Sequence, residues 1–322
     1  MPITDQGPLV SVIIPVYNGA QFISKTLASV QDQTYSRWEA IVVDDGSIDD
    51  SVAQIRQMAA RDDRITVVCQ SNGGTQAARN TGLSQARGDF VALLDQDDLW
   101  LPGKLDAQIR VWRENPRANL FFTNYWNWDG ATDLSLRYSQ RRKFPEGDES
   151  KKLIRWCLFG ASTVMVRREV LDKVGCFNVG LLLTGDWDLW LRIAETGLWA
   201  GGVWEPQVRY RLWPGNASKN VIRTMEENVR VLEQALTRPQ LSWRRRAYRR
   251  SLAIARGNLE LARIKPLLDG PAEKATAGIL RAWKCCPRQI KWLFWYWATL
   301  CPNSLGGRWT SRRVYDKIRG KW

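Results

Sequence analysis

The feature that most constrains the fold is a repeating unit: a short apolar run, a turn, a helical stretch, then another apolar run. Leu9-Val10-Ser11-Val12-Ile13-Ile14-Pro15, Trp38 to Val43, Ile65 to Cys69 and Phe90 to Leu94 recur at roughly 25-residue intervals. Apolar on both faces, such runs read as strands buried between helices. Phe22, Ile23, Leu27 and Val30 fall at helical spacing in the first interval, as do Val52, Ile55 and Met58 in the second. This alternation predicts an α/β fold built on a mostly parallel, doubly wound sheet.

Acids stand at the ends of these strands. Trp38 to Val43 runs into Asp44-Asp45-Gly46-Ser47, and Phe90 to Leu94 runs into Asp95-Gln96-Asp97-Asp98. Open α/β sheets hold ligands just beyond the carboxyl ends of their strands. Three carboxylates within four residues repel one another unless a cation, or a cation with a phosphate behind it, sits among them. Asp98 as a cap for the helix opened by Leu101-Pro102 explains one acid and leaves two. The amides of Gly73 and Gly74, with Arg79 a turn later, suit a phosphate, although a Gly-Gly pair also serves as a plain turn. Ser47 with Asp50 resembles a capping box for the helix across Val52 to Met58.

Further along, helical patterns cover Leu101 to Glu114, Leu153 to Cys157, Arg168 to Val174 and the stretch from Asp186 through Leu189 and Ile193. Strands are predicted at Leu120 to Asn124, Ser162 to Val166 and Val208 to Arg211. Tyr125 to Ser150, polar and aromatic with little periodicity, reads as a long loop.

Composition narrows the chemistry. The chain has no histidine, which removes Ser-His-Asp triads, Cys-His dyads and His-metal sites together. A general base is therefore expected to be a carboxylate, with Lys, Tyr and Cys the alternatives. Six cysteines are scattered without metal-ligand spacing and read as reduced thiols. No run reads as a secretory leader or reaches membrane-spanning length. The net charge is +14, and after Leu241 there are 19 Lys/Arg against 4 Asp/Glu.

Taken in order, Pro15-Val16-Tyr17-Asn18, Val43-Asp44-Asp45-Gly46-Ser47, Arg79-Asn80 followed by Gly88-Asp89, and Leu94-Asp95-Gln96-Asp97-Asp98 resemble the family 2 glycosyltransferases. Arg167 to Val170, Gly175-Cys176-Phe177 and Trp187 to Arg192 fit the family's acceptor half. The resemblance implies a type-A glycosyltransferase fold over 1–220, with a nucleotide-binding half at 8–115 and an acceptor half at 116–220. A basic, Trp-rich helical tail at 221–322 follows. Carried over by position, it places Pro15, Val16, Tyr17, Asn18, Asp44, Asp45, Gly74, Arg79, Asn80, Asp95 and Gln96 on the nucleotide sugar. Asp95 and Asp97 then belong to the Mn²⁺ or Mg²⁺ site, with Asp97 the direct ligand. Asp186 is the catalytic base, and Gly160, Ala161, Ser162, Gly185, Trp187 and Asp188 face the acceptor. The implied reaction moves one sugar, with inversion, from a UDP- or dTDP-sugar to a hydroxyl of a lipid-linked saccharide or surface glycan. Rival readings are a nucleotidyltransferase and a catalytically weak nucleotide-binding scaffold.

Two departures stand out. The family usually carries Glu just before its base, where this chain has Gly185. It commonly carries Tyr-Arg-x-His, whose histidine reaches the metal, where this chain has Tyr210-Arg211-Leu212-Trp213. The Gln-x-x-Arg-Trp signature of processive synthases is absent after Asp186.

In the tail, Trp243 to Arg250, Trp283-Lys284-Cys285-Cys286 and Ile290 to Cys301 mix basic and bulky apolar residues. Trp at the headgroup boundary with Lys/Arg on anionic lipid predicts a cytoplasmic protein peripheral to the inner face of a membrane, the alternative being a helical appendage that packs its tryptophans on the catalytic domain. No nucleic-acid module is visible, and no nucleic-acid partner is expected.

Overall fold

The computed structural model describes residues 7–137, 145–238 and 244–264. The chain divides into two compact units, residues 1–219 and 220–322.

In the first unit the predicted alternation is realised as β1 (Val10–Val16), α1 (Ile23–Gln31), β2 (Trp38–Asp44), α2 (Ser51–Ala59), β3 (Ile65–Cys69), α3 (Thr75–Gln85) and β4 (Phe90–Leu93). Every residue of β1 and β2 is buried, as unbroken apolar runs require in a sheet covered on both faces. The strands run parallel in the order β3-β2-β1-β4. The chain thus winds outward from β1 to β3 and returns on the other side of β1. The carboxyl ends of β1 and β4 therefore flank a topological switch point, where open sheets hold their ligands.

The remaining elements are β5 (Leu99–Trp100), α4 (Lys104–Glu114), β6 (Leu120–Trp128), β7 (Asp133–Leu136), α5 (Ser150–Leu153), β8 (Val164–Arg167), α6 (Arg168–Val174), α7 (Gly185–Glu195) and β9 (Ala200–Arg211). They extend the same sheet from β4 through β8, β6 and β9 to β5, with β7 on β6. Here β8 is antiparallel to both β4 and β6, while β6 and β9 run parallel. The doubly wound parallel character thus belongs to the first half.

Several local expectations need correction. The strand at Leu120 continues to Trp128 and turns back into β7, so the supposed loop begins as a hairpin. Asp129 makes that turn by accepting the Ala131 and Thr132 amides (2.9 and 2.7 Å), with Gly130 at φ 105°. α4 starts at Lys104, three residues later than expected, α5 ends at Leu153, and β9 begins eight residues early at Ala200. Ser162 lies in a 3-10 turn ahead of β8. Ser47 does not cap α2. Its hydroxyl accepts the Asn18 amide (2.9 Å), and Asp49 takes the Ser51 amide instead (3.0 Å).

In the second unit, α8 (Val221–Thr237) is capped by Asn220, whose side-chain oxygen accepts the Arg223 amide (3.2 Å). Arg256–Glu233 and Arg263–Glu226 pairs, each 2.7 Å, join it to α9 (Arg245–Ile264). Arg245, Arg246, Arg249 and Arg250 are exposed along one face of α9. Among the described residues no helix is long and apolar enough to cross a membrane. Trp243, Trp283 to Cys286 and Ile290 to Cys301 lie outside the described residues.

Candidate active site

Side-chain hydrogen bonds stitch the switch point together. Gln96, just beyond β4, accepts the Tyr17 amide (2.8 Å) and donates to the Tyr17 carbonyl (3.1 Å), tying the end of β4 to the end of β1. Pro15 and Val16 are the last pairs of β1 with β2, opposite Val43 and Asp44. Asn18 takes the left-handed conformation (φ 47°), and its side chain accepts the Ile48 amide (2.9 Å). The Tyr17 ring, 48% exposed, is left at the rim.

Asp44 and Asp45 are both buried. Asp44 accepts the Ser47 amide (3.2 Å). Asp45 accepts the amides of Gly73 and Gly74, each at 2.8 Å, and the Gln70 side chain (2.7 Å). The two glycine amides read from the sequence as phosphate donors are thus given to Asp45.

The three acids after β4 have separate surroundings. Asp95 is paired with Arg79 (2.6 Å), and its amide donates to Ser162 Oγ (3.1 Å). Asp98 is fully buried: Ser162 Oγ donates to one oxygen (2.6 Å) and the Arg211 amide to the other (2.9 Å). Burial, then the charges of Asp97 and Asp95, push its carboxyl well up. Asp97 Oδ2 accepts the Trp213 indole N–H (2.7 Å), and Arg211 Nε donates to the Asp97 carbonyl (2.7 Å). Burial and the charge of Asp95 raise Asp97.

Asp186 opens α7 with one oxygen on the Trp187 amide (2.7 Å). Burial is the largest influence on it and lifts its carboxyl to about 6; the charge of Arg79 acts against this and that of Asp95 with it. Arg79 is therefore the electrostatic hinge between Asp95 and Asp186. Its guanidinium is 4% exposed, donates to Gln76 (3.3 Å) and leaves Nε without a partner. Cys157 also faces Asp186, whose charge adds to burial in raising the thiol well above its usual range.

Known proteins resemble this chain in family, sequence and fold. The family model for glycosyl transferase family 2 matches residues 11–175. The chain belongs to that family. It is a glycosyltransferase. A Bacillus subtilis (strain 168) protein, provisionally named as the teichuronic acid biosynthesis glycosyltransferase TuaG, is 36% identical over 220 residues, covering 67% of this chain and 84% of its own. The Escherichia coli UDP-Glc:alpha-D-GlcNAc-diphosphoundecaprenol beta-1,3-glucosyltransferase WfgD is 32% identical over 238 residues, covering 72% and 88%. In fold, the chain matches Staphylococcus aureus TarS 1-349 in complex with UDP-GlcNAc (TM-score 0.65, 19% identity, 88% of this chain and 82% of that one).

Within this glycosyltransferase, several residues expected at the ligands are committed elsewhere. Asn80 donates to the Phe177 carbonyl (2.9 Å) and accepts its amide (2.8 Å), joining α3 to the segment after α6. Asp188 is buried and paired with Arg192 (2.9 Å), which also caps the Val174, Gly175 and Cys176 carbonyls. Trp187 is buried, its indole N–H on the Leu153 carbonyl (2.8 Å). Ala161 and Ser162 are buried as well, and Ser162 holds the acid loop from beneath; Gly160 is half-buried at the turn above them. Gly185 packs against Gln76, where an added Cβ would lie 2.5 Å from the Gln76 side chain.

Gln76 escapes the sequence reading, whereas Arg211 and Trp213 figure there only as a departure from the family's Tyr-Arg-x-His, without their hydrogen bonds to the acid loop. Gln76 fills the space beside Gly185 that a larger residue before the base would need. Only the glycine at 185 hints at it.

A divalent cation fits a sparse ligand set here. No three His, Cys, Asp or Glu side chains gather into a metal cage among the described residues. Asp95 Oδ1 accepts from Arg79, and Asp97 Oδ2 from Trp213 and, at 3.5 Å, Asn216; these side chains leave Asp95 Oδ2 and Asp97 Oδ1 to face a cation. One or two carboxylates with substrate phosphates is the set Mg²⁺ ordinarily takes.

Proposed function

We propose that this glycosyltransferase is an inverting, single-sugar enzyme of cell-envelope glycan assembly, with a UDP- or dTDP-sugar as donor and a hydroxyl of a lipid-linked saccharide or surface glycan as acceptor. The names of the Bacillus and Escherichia relatives support the pathway class and acceptor type. The observation that supports this reading best is that Asp186 lies within reach of the charges of Arg79 and Asp95, themselves paired at 2.6 Å, with its carboxyl raised to about 6.

The donor's diphosphate would lie at the switch point, with Tyr17, Asn18 and Asp44 toward the nucleoside. Asp95 and Asp97 would hold Mg²⁺ or Mn²⁺, which supplies Lewis-acid stabilisation of the departing diphosphate. The acceptor oxygen forms its bond to the anomeric carbon while the bond to the β-phosphate oxygen breaks and its electron pair leaves with the nucleoside diphosphate. Asp186 takes the acceptor's proton as that bond forms. A base on the face opposite the leaving group inverts the anomeric centre. With an acid constant near the working pH, Asp186 is matched to accepting a proton at neutral pH.

The four exposed arginines of α9 support a peripheral site at an anionic membrane surface. Incubation with UDP- and dTDP-sugars, Mn²⁺ and undecaprenyl-diphosphate-linked sugar tests the function. Transfer of one sugar with inverted anomeric configuration by proton NMR is expected. Retention, or release of pyrophosphate in place of nucleoside diphosphate, contradicts it.

A further inference from the structure

The end of β9 and the segment after it grip the acid loop at four points. The Arg211 amide donates to Asp98 Oδ1, Arg211 Nε donates to the Asp97 carbonyl, and Asp97 Oδ2 accepts both the Trp213 indole N–H and, at 3.5 Å, Asn216 Nδ2. The indole is itself closely seated. Its ring meets Phe22 edge-on at 4.9 Å, and the Trp213 amide donates to Asn216 Oδ1. Asn216 Nδ2 in turn donates to the Arg211 carbonyl (2.9 Å). Gly215 makes the fold-back possible, since a Cβ there would lie 2.2 Å from the Trp213 ring. An indole N–H only donates, so Trp213 orients the carboxylate without being able to ligate a cation.

We propose that Trp213 is a positioning residue that holds the Asp97 carboxylate by Oδ2, so that Oδ1 is the oxygen presented to the cation. This rests on the proposed metal role of Asp97. The indole directs one oxygen, and Arg79 similarly occupies one oxygen of Asp95. What the protein then offers by itself is two carboxylate oxygens, too few to strip water from a divalent ion. The nucleotide's phosphates complete the set. A hydrogen bond that orients a ligating carboxylate is commonly worth about 10- to 100-fold in metal affinity.

Mn²⁺ binding, followed by electron paramagnetic resonance with and without UDP, tests this apart from turnover. Wild type should take up Mn²⁺ in the presence of UDP and show little uptake without it. Trp213→Phe keeps an aromatic ring near Phe22 and removes the indole N–H together with the rest of the five-membered ring. It should weaken Mn²⁺ about 10-fold or more in the UDP complex, while UDP affinity in EDTA, by calorimetry, stays within about two-fold. Trp213→His, at a pH where the imidazole is neutral, should bring Mn²⁺ uptake without nucleotide. An unchanged Mn²⁺ affinity in Trp213→Phe overturns the proposal. So does an equal loss of UDP affinity in EDTA, which marks a packing role only. Mn²⁺ and UDP binding as described but with no sugar transferred supports this role of Trp213 and contradicts the proposed function.

Discussion

Asp44, Asp45 and Asp95 at the switch point and Asp186 at the start of α7 stand in contrasting surroundings. The first three each receive hydrogen bonds from backbone amides, a side-chain amide or a guanidinium that fix their direction. Asp186 has the neighbouring Trp187 amide and a desolvating pocket, which lifts its carboxyl to about 6. Donors stabilise the charged form and desolvation destabilises it. The first group is therefore suited to holding a ligand in register, and Asp186 to taking up a proton. Arg79 stands between them and belongs to both.

Removing the base should break the contrast most severely. Asp186→Asn is expected to lower kcat by about 10³- to 10⁴-fold, the upper range for a general base, with donor KM changed little; steady-state kinetics check this. Removing the hinge comes next. Arg79→Met takes away the positive charge that holds the Asp186 carboxyl down, so the acidic limb of the kcat profile, centred near pH 6 in wild type, should move upward. The same change strips Asp95 of its partner and should cost about 2–3 kcal/mol in urea unfolding, less than a fully buried pair because Asp95 is 33% exposed.

How legible each side was in the sequence follows from the range of its interactions. Unbroken apolar runs disclosed β1, β2 and β4, and the acids that follow them were visible because strand ends are local features. β6 beyond Asn124 was not, because Tyr125-Trp126-Asn127-Trp128 carries its pairing instructions in β9 and β7, far away in sequence. Asp98 resembled a helix cap for the same reason: its partners Ser162 and Arg211 are 64 and 113 residues distant. The missing glutamate before the base showed only as Gly185, and its counterpart Gln76 needed the packing of α3 on α7.

That packing can be sharpened into a smaller effect. Gly185→Ala pushes a Cβ into the buried Gln76 side chain and should destabilise by about 1–3 kcal/mol. Gln76→Ala should recover part of this in the double variant, as thermal unfolding would register. The smallest effect concerns stability and pH. The Asp186 carboxyl is raised in the folded protein, so its ionisation costs stability as pH rises from the unfolded value of 3.8 toward about 6, and the cost is complete above that. Asp186→Asn should therefore be more stable than wild type at pH 8, by on the order of 1–2 kcal/mol, and the difference should vanish below pH 4.

The division of labour between the two sites is most directly tested by calorimetric titration of UDP with Mn²⁺ into wild type, Asp97→Asn and Asp186→Asn. Wild-type affinity in Asp186→Asn, with binding lost or weakened at least about 10-fold in Asp97→Asn, is the expected result. Equal loss in both, or loss only in Asp186→Asn, would contradict the separation of a nucleotide-holding edge from a proton-accepting acid.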